Sequence, residues 1–274
     1  MDIYYENSYN EKVILNRWPC MIQNLEELKS YEWQSEIKEM GNYKEKILQF
    51  YMKLRKKKME LSIFAETKEE LTETLNKMHR IFERDIAQNA PGRLFIGDMY
   101  IWCYCYSGQA DEYEEDFYTA DYEVGVMTAK PFWIKETSYT FKSADITSTS
   151  NKRYGYRYGY RYASGMKDTY ILNEHFAPAQ FRLRIYGPCV NPLIAIGGRI
   201  YTVHTILEDG EYLEVDSMAQ TVIKTMMNGT KVNLFHYRGL DIFQKILPGK
   251  QVVSWDGKFD FDITLFKERS EPEW

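Results

Sequence analysis

The clearest pattern of apolar positions lies between Thr67 and Ala87. Apolar side chains recur there at the 3.6-residue spacing of one helix face: Leu71, Leu75, Met78, Phe82 and Ile86. Thr67 and Glu70 form a capping box at the start of this segment, and Pro91 with Gly92 should end it. We therefore predict one long amphipathic helix that lays one face on a sheet and exposes the other.

Strand patterns flank this helix on both sides. The alternating run Met59 to Phe64 precedes it. After it, Arg93 to Ile96 and Met99 to Tyr106 are separated by Gly97-Asp98, which predicts a β-hairpin. The acidic segment Asp111 to Asp116 should form an exposed connection. It leads into a predicted strand with one half-buried face: Tyr118, Ala120, Tyr122, Val124 and Val126.

From about Asn173 onward the pattern is almost purely β. Two runs of alternating apolar residues predict strands: Phe181, Leu183 and Ile185, then Phe259, Phe261, Ile263 and Leu265. Turn signals separate other short strands: Gly197-Gly198, Asp209-Gly210 and Asn228-Gly229. No helix-length amphipathic segment lies between these strands, which disfavours a parallel βαβ fold and favours a sandwich.

These patterns predict a mainly β protein with one long helix. We expect an α+β domain over residues 1–135, a linker with a tyrosine-rich β-arm over 136–172, and an antiparallel β-sandwich domain over 173–274. In the arm, tyrosines occupy every second position from 154 to 162. They could form a platform that stacks on sugars or bases, or an arm that packs against a neighbouring domain or subunit.

Charge favours the second interpretation of the arm. The net charge of -5, from 35 basic and 40 acidic residues, has the wrong sign for a protein whose main partner is a phosphate backbone. We therefore expect no nucleic-acid recognition and an arm that forms an interface, with these candidate residues: Tyr154, Tyr156, Arg157, Tyr158, Tyr160 and Arg161. The basic cluster of Lys53 and Arg55 to Lys58 is interpreted as a solvated flank.

Composition narrows the class of protein further. Aromatic residues make up 16% of the 274 residues, while glycine and proline are ordinary, which excludes collagen-like and disordered chains. The start of the chain lacks a signal-peptide pattern, and no apolar run approaches the roughly 20 residues of a membrane span. We expect synthesis in the cytosol and buried, reduced thiols at all four cysteines: Cys20, Cys103, Cys105 and Cys189.

No catalytic motif is recognisable in the sequence. The four histidines are far apart and lack the spacing of metal ligands: His79, His175, His204 and His236. Asp260 with Asp262 and Glu211 with Glu214 could be the paired carboxylates of a glycosidase, but a strand's polar side and a turn are ordinary places for solvated acids. We expect no enzyme, no cofactor and no metal.

The order of short motifs carries a further signal. In the first domain they are Tyr5-Glu6-Asn7, a Tyr31-Glu32-Trp33 strand, Met59 to Phe64, the capped helix, Gly97-Asp98, and a strand ending at Lys130-Pro131-Phe132-Trp133. In the second they are Asn173 to Phe181, Ile185-Tyr186-Gly187-Pro188, Asn191-Pro192, Gly210-Glu211, Val215-Asp216, Leu247-Pro248-Gly249, Arg269-Ser270, Pro272 and Trp274. This order resembles the distal tail proteins of phages with long non-contractile tails.

The resemblance implies a ring-forming first domain and a galectin-like second domain. Six copies would form a hub at the virion's tail tip, assembled in the bacterial cytoplasm. Implied partners are the tail tube protein, the tail-tip or tail-associated lysin protein and, in some phages, receptor-binding proteins. Galectins bind sugar through His-x-Asn-Pro-Arg and a Trp followed by Glu and Arg, but His236-Tyr237-Arg238 and Trp255-Asp256-Gly257 depart from both. A carbohydrate-binding protein that uses the tyrosine-rich face is the alternative hypothesis.

Overall fold

The computed structural model of the protein describes residues 1–40, 44–114, 118–143 and 169–273. The chain divides into two compact units. Unit 1 contains Met1–Lys135 and Glu268–Trp274, and unit 2 contains Glu136–Lys267. Unit 2 is therefore inserted into unit 1. The predicted extent of the tyrosine-rich arm stays a prediction, because residues 144–168 lie outside the described ranges.

Unit 1 holds both α-helices of the described chain and eleven strands, the last of which continues into unit 2. They are β1 (Ile3–Glu6), β2 (Lys12–Ile14), β3 (Asn16–Arg17), β4 (Cys20–Ile22), α1 (Leu25–Lys29), β5 (Gln34–Met40), β6 (Lys44–Tyr51), β7 (Arg55–Phe64), α2 (Lys68–Gln88), β8 (Gly92–Ile96), β9 (Met99–Glu114), β10 (Thr119–Thr128) and β11 (Trp133–Phe141).

The described part of unit 2 contains strands and a 3-10 turn at Phe235–Tyr237. The strands are β12 (Thr169–Asn173), β13 (Gln180–Tyr186), β14 (Cys189–Val190), β15 (Leu193–Ile196), β16 (Arg199–Thr202), β17 (Ile206–Leu207), β18 (Tyr212–Asp216), β19 (Thr221–Thr225), β20 (Lys231–Asn233), β21 (Gly249–Trp255) and β22 (Phe261–Arg269), which continues into unit 1. The mainly β fold with one long helix is confirmed.

The long strand β9 organises the sheet of unit 1. Its first residues pair with β8 and the rest pair with β10, as at Ile96↔Met99 and Val126↔Cys105. Beyond these, β1 and β2 extend one side, and β7, β4 and β3 extend the other. The predicted hairpin around Gly97 is confirmed. Apolar and polar residues alternate along the sheet's strands, so the apolar side chains share one face, and that face is buried against α2.

Helix α2 confirms the predicted N-terminal cap and the predicted end near Ala87, although the residue that ends it is Asn89. Thr67 Oγ1 accepts a hydrogen bond from the amide of Glu70 at 3.2 Å, and the Glu70 carboxylate accepts one from the amide of Glu66 at 2.9 Å. The helix ends at Gln88 because Asn89 adopts a left-handed conformation with φ 49°. Pro91 and Gly92 come later, and Gly92 already opens β8.

The buried face of α2 differs from the prediction in its last turn. Leu71, Met78 and Phe82 are buried as expected, but Ile86 is 46% exposed. The buried residue there is Asp85, which is 0% exposed. Its carboxylate accepts a hydrogen bond from the Tyr5 hydroxyl at 2.5 Å and another from the Ser8 amide at 2.8 Å. Burial is the main cause that raises the pKa of Tyr5 well above its ordinary value.

Other local predictions in unit 1 were wrong. Residues 111–114 continue β9 and pair with β10, instead of forming an exposed connection. Tyr31-Glu32-Trp33 precedes β5 and is not a strand. Tyr118 lies just before β10 with a positive φ of 47°, and β10 ends at Thr128, before Lys130-Pro131-Phe132.

An ion pair holds the last residues of the described chain in unit 1. The Lys135 ammonium contacts the Asp98 carboxylate at 2.8 Å and the Glu273 carboxylate at 2.7 Å. Lys135 donates a hydrogen bond to each of these carboxylates, and this holds the pKa of Asp98 and the pKa of Glu273 below their usual range. The amide of Glu273 also lies 3.3 Å from Met99 Sδ. The segment after β22 thus completes unit 1.

Unit 2 is an antiparallel sandwich in its described part. One sheet has the order β20-β19-β18-β13-β22-β11, and the other has the order β12-β21-β15-β16. One core joins the two buried faces: Phe181, Leu183, Ile185, Leu213, Val215, Phe261, Ile263 and Leu265 on the first, and Ile171, Ile194, Ile196, Tyr201, Val253 and Trp255 on the second. The predicted turns at Gly197-Gly198, Gly210 and Gly229 are confirmed by positive φ angles, and paired strands flank the first and the last of them.

Gly187 is required by a close backbone approach in unit 2. A Cβ atom there would lie 2.0 Å from the carbonyl oxygen of Glu208, which is backbone and cannot rotate away. We expect Gly187→Ala to lower the free energy of unfolding by about 3 kcal/mol. Gly229→Ala is the control, because nothing lies within 4 Å of its Cβ position and only its left-handed φ opposes alanine, at about 1 kcal/mol. Urea unfolding of both variants tests this, and equal losses would contradict it.

Candidate assembly surface

Strands β5 and β6 form a hairpin that stands apart from the rest of unit 1. Within the described residues, the two strands pair only with each other. Their register runs from Gln34↔Tyr51 to Met40↔Lys44, with an irregularity after Glu36 that leaves Leu48 unpaired. Nearly all its described side chains are exposed. The hairpin therefore presents two faces and two strand edges.

One face of the hairpin is apolar near its base and acidic toward its tip. Side chains directly opposite each other share a face, and three such pairs lie here: Ser35 with Phe50, Ile37 with Ile47, and Glu39 with Glu45. We call these six residues the apolar face. Phe50 is 60% exposed, Ile37 51% and Ile47 52%. Clustered exposed apolar residues of this kind mark interaction sites.

The opposite face of the hairpin carries the other sign of charge. Lys38 lies directly opposite Lys46, beside the hydrogen-bonded pair Glu36 and Gln49. Like charges directly opposite destabilise a strand pair, and Glu39 with Glu45 repeats this on the apolar face. The hairpin's charges therefore do not stabilise the pairing of β5 with β6. The basic pair and the acidic pair lie on opposite faces, which suits contacts between each face and another surface.

The base of the hairpin is fixed by two cations. The Arg55 guanidinium donates to the carbonyl oxygens of Ser30 at 2.9 Å and Glu32 at 2.6 Å. The Lys57 ammonium donates to the carbonyl oxygens of Glu27, Leu28 and Ser30 at the end of α1. Burial lowers the pKa of Lys57 to about 8. The interpretation of the whole basic cluster as a solvated flank is therefore wrong for Arg55 and Lys57.

The four carboxylates that could have formed catalytic pairs all have structural partners. Asp260 accepts from the Ser143 amide at 2.7 Å, and Asp262 accepts from the Tyr186 hydroxyl at 2.7 Å. The other two have basic partners, since Lys224 Nζ lies 2.6 Å from the carboxylate of Glu211 and Arg184 lies 2.6 Å from that of Glu214. These contacts give each of the four carboxylates a structural role in the sandwich. In the described residues, the two members of neither pair face each other across a cleft.

The remaining predicted residues do not converge on a site. In the described part of the chain, no three His, Cys, Asp or Glu side chains lie close enough to hold a metal. Cys20, Cys103 and Cys105 are buried, Cys189 is half-buried, and all four are free. Trp255 is 5% exposed and packs on Phe141 and Phe261. It is a core residue of the sandwich.

The tyrosine-arginine repeat lies outside the residues that the structure describes. Its candidate interface positions therefore stay a prediction: Tyr154, Tyr156, Arg157, Tyr158, Tyr160 and Arg161. No described helix is long and apolar enough to cross a membrane. The hairpin β5–β6 exposes clustered apolar side chains. The sequence patterns did not predict it.

Comparison with solved structures finds the whole fold in phage tail proteins. The crystal structure of the Dit protein of phage SPP1, described as a paradigm of the hub adsorption apparatus in phages infecting Gram-positive hosts, aligns over 98% of both chains with a TM-score of 0.56 and 8% identity. A chain of the phage P2 baseplate, in its activated conformation with calcium, aligns over 99% of this chain and 100% of that one, with a TM-score of 0.63 and 12% identity. This chain has the fold of a phage hub protein.

The strontium form of the P2 baseplate gives the same result, with a TM-score of 0.62 and 13% identity. The resemblance to phage distal tail proteins, inferred from motif order, is confirmed in the fold. A comparison with known protein families finds no match, and neither does a comparison with curated proteins. The likeness to the hub proteins therefore lies in how the chain folds.

Proposed function

We propose that six copies of this protein form a ring that acts as the structural hub of a phage or prophage tail tip. The ring joins the tail tube to the tail-tip or lysin protein and carries receptor-binding components. It works without catalysis. The observation that carries this proposal is the full-length match to a hub protein, which covers 98% of both chains. Because fold alone does not determine function, a local feature must agree with it.

The hairpin β5–β6 is that feature. Three large apolar side chains lie together on one exposed face, namely Ile37, Ile47 and Phe50. Burying such side chains is favourable by roughly 25 cal/mol per Å² of apolar area, so a neighbouring copy that covers this face gains stability from it. A subunit that works by repeated contacts needs such a surface.

The alternative, a carbohydrate-binding protein that uses the tyrosine-rich face, stays a prediction, because that face lies outside the described residues. A galectin-type sugar site at Trp255 finds no support in the described residues. In a galectin-type site a tryptophan is exposed to the sugar, whereas Trp255 is enclosed by Phe141 and Phe261. Its indole Nε1 donates to the carbonyl oxygen of Phe259 at 3.2 Å. The side chain is thus used for packing the sandwich, and the galectin-like part of the proposal concerns architecture only.

The mass of the purified protein in solution tests the ring. Size-exclusion chromatography with light scattering should give six times the chain mass of 32.6 kDa, and electron microscopy should show six-fold rings with a central opening. The same measurement is repeated with the tail tube protein present. A protein that stays monomeric in both conditions at high micromolar concentration would overturn the hexameric hub.

A further inference from the structure

A groove of about 200 Å³ lies on the outer face of the sandwich in unit 2. Three neighbouring strands of one sheet form it, namely β13, β22 and β11. These strands turn residues such as Leu183 and Ile263 into the core, so the alternate residues face outward. The groove is lined by polar residues: Ser138, Thr140, Arg182, Arg184, Asp262 and Thr264. Short side chains on β11 and β22 lie beside the long arginines of β13, and this difference in length makes the groove.

Two carboxylates on strand β18 hold the arginines of the groove in place. Glu214 lies directly opposite Arg184, and Asp216 lies directly opposite Arg182. Arg184 donates from Nε and Nη2 to Glu214 at 3.2 Å and 2.6 Å, and Arg182 donates from the same two atoms to Asp216 at 3.4 Å and 3.3 Å. A guanidinium has five N–H donors, and the side chains of Arg182 and Arg184 are 38% and 41% exposed. Donors therefore remain for a ligand in the groove.

Aromatic rings fix the same two guanidinium groups. The Cζ atom of Arg182 lies 5.3 Å from the centre of the Phe266 ring, and that of Arg184 lies 5.1 Å from the centre of the Tyr212 ring. Cations at this distance are attracted to the face of a ring. A ring and a carboxylate together order each guanidinium before a ligand arrives, and groups that are ordered in advance lower the entropic cost of binding.

Hydrogen-bond acceptors lie directly across from these donors. In the pairing of β13 with β22, Asp262 is opposite Arg184 and Thr264 is opposite Arg182. The Asp262 carboxylate accepts a hydrogen bond from the Tyr186 hydroxyl at 2.7 Å through Oδ2, and its other oxygen takes no part in that bond. The groove therefore presents cationic donors on one strand and a carboxylate with a hydroxyl on the next.

The balance of charge on this face selects the kind of ligand. Three carboxylates lie beside the two arginines: Glu214, Asp216 and Asp262. This excess of negative charge disfavours an anion, and an apolar ligand would take charged groups out of water without offering hydrogen bonds in return. A hydroxyl group both donates and accepts, so neighbouring hydroxyls of a sugar can accept from a guanidinium and donate to a carboxylate.

We propose that this groove binds a neutral saccharide, with Arg182 and Arg184 as donors to its hydroxyls and Asp262 as an acceptor. The site differs from the galectin pattern, because none of its residues belongs to His236-Tyr237-Arg238 or Trp255-Asp256-Gly257. All of its residues lie in unit 2, so binding does not require the ring. The inference therefore goes beyond the hub function and gives the subunit a sugar site of its own.

Saturation-transfer NMR on the full chain tests the site. The probes are the methyl glycosides of glucose, galactose, rhamnose and N-acetylglucosamine, and at least one of them should bind. Arg182→Met should weaken that binding about tenfold or more, because hydrogen bonds from a charged group are lost. Arg182→Lys should weaken it too, since lysine keeps the charge but not the planar fork. Asp262→Asn, which keeps an acceptor for Tyr186, should also bind more weakly.

Lys258→Met is the matched control. It removes a cation between β21 and β22, where the lysine side chain is 81% exposed and does not line the groove, so this variant should bind the glycoside like the wild type. Circular dichroism and thermal unfolding check that every variant is folded. Inorganic phosphate is then added to the wild type with its glycoside, and it should not displace the sugar because the carboxylates repel it.

The outcomes decide between a saccharide and the other occupants of this face. The absence of saturation transfer to all the glycosides would overturn the site, and so would a folded Arg182→Met protein that binds like the wild type. Displacement of the sugar by phosphate would overturn the neutral class of ligand. Weaker self-association of Arg182→Met without any sugar binding would assign the face to a contact between copies instead. A monomeric protein that binds the glycoside would support the site and overturn the ring.

Discussion

Replacing Ile37, Ile47 and Phe50 together with serine should convert the assembled protein to monomers. These side chains are 51%, 52% and 60% exposed, so covering them in an assembly buries about half of each. Complete burial of a large apolar side chain contributes roughly 1.5–3 kcal/mol. The triple variant therefore loses about 3 kcal/mol per contact, which is about a 100-fold weaker association. Light scattering over a concentration series measures the loss.

The matched control changes the other face of the same hairpin. Gln34→Ser with Gln49→Ser removes two polar side chains from the face that carries Lys38 and Lys46. This variant should keep the assembly of the wild type, because no apolar area is lost. The thermal unfolding of both variants should stay close to that of the wild type, since the changed residues lie on the surface. A triple variant that still assembles would contradict the role given to the apolar face.

Asp85→Ala should destabilise unit 1 far more than the loss of any exposed side chain of helix α2. The carboxylate is completely buried and accepts hydrogen bonds from Tyr5 and Ser8, which lie on another segment of the chain. Alanine would leave the buried Tyr5 hydroxyl and the part-buried Ser8 amide without this partner and would open a cavity. Hydrogen bonds to a charged group contribute about 1.5–3 kcal/mol each, so we expect a loss of about 3–5 kcal/mol in urea unfolding.

Two further variants separate the hydrogen bonds from helix formation. Tyr5→Phe removes one of the two bonds and keeps the ring that packs edge-on against Phe82, so it should cost about half as much. Glu69→Ala, on the exposed first turn of α2, should change stability by less than about 0.5 kcal/mol. If Asp85→Ala and Glu69→Ala had equal effects, the buried carboxylate would not have the stabilising role described.

Most of unit 2 could be predicted from the sequence because its signals are local. Alternation at Phe181, Leu183 and Ile185 predicts a strand with one buried face, and all three are buried. Glycine at the turns predicts the positive φ angles found at Gly210 and Gly229. Where neighbouring residues decide the structure, sequence patterns are enough.

Helix α2 shows where local pattern stops being enough. Its apolar spacing favours Ile86 as the last buried residue, yet Asp85 is buried in its place. Burying a carboxylate is costly unless hydrogen bonds compensate it, and the compensating groups come from Tyr5 and Ser8, about eighty residues earlier in the chain. No window of sequence around the helix contains that information.

The hairpin escapes prediction for a different reason. Both faces of β5 and β6 are exposed, so their residues do not alternate between apolar and polar along the whole strand. The extra residue, Leu48, also shifts the pattern of β6 by one position. A signal is nevertheless present, because aligning residues 34–40 against 44–51 places Ile37 opposite Ile47 and like charges opposite each other. Only the register makes this visible.

The insertion of unit 2 into unit 1 sets an order on the ribosome. Residues 136–267 are synthesised before the segment that carries Glu273, so Lys135 meets its second carboxylate only after unit 2 has been made. A chain that terminates early can close its sandwich but lacks the link from Lys135 to Glu273. Unit 1 is therefore completed only after the whole of unit 2 has been synthesised.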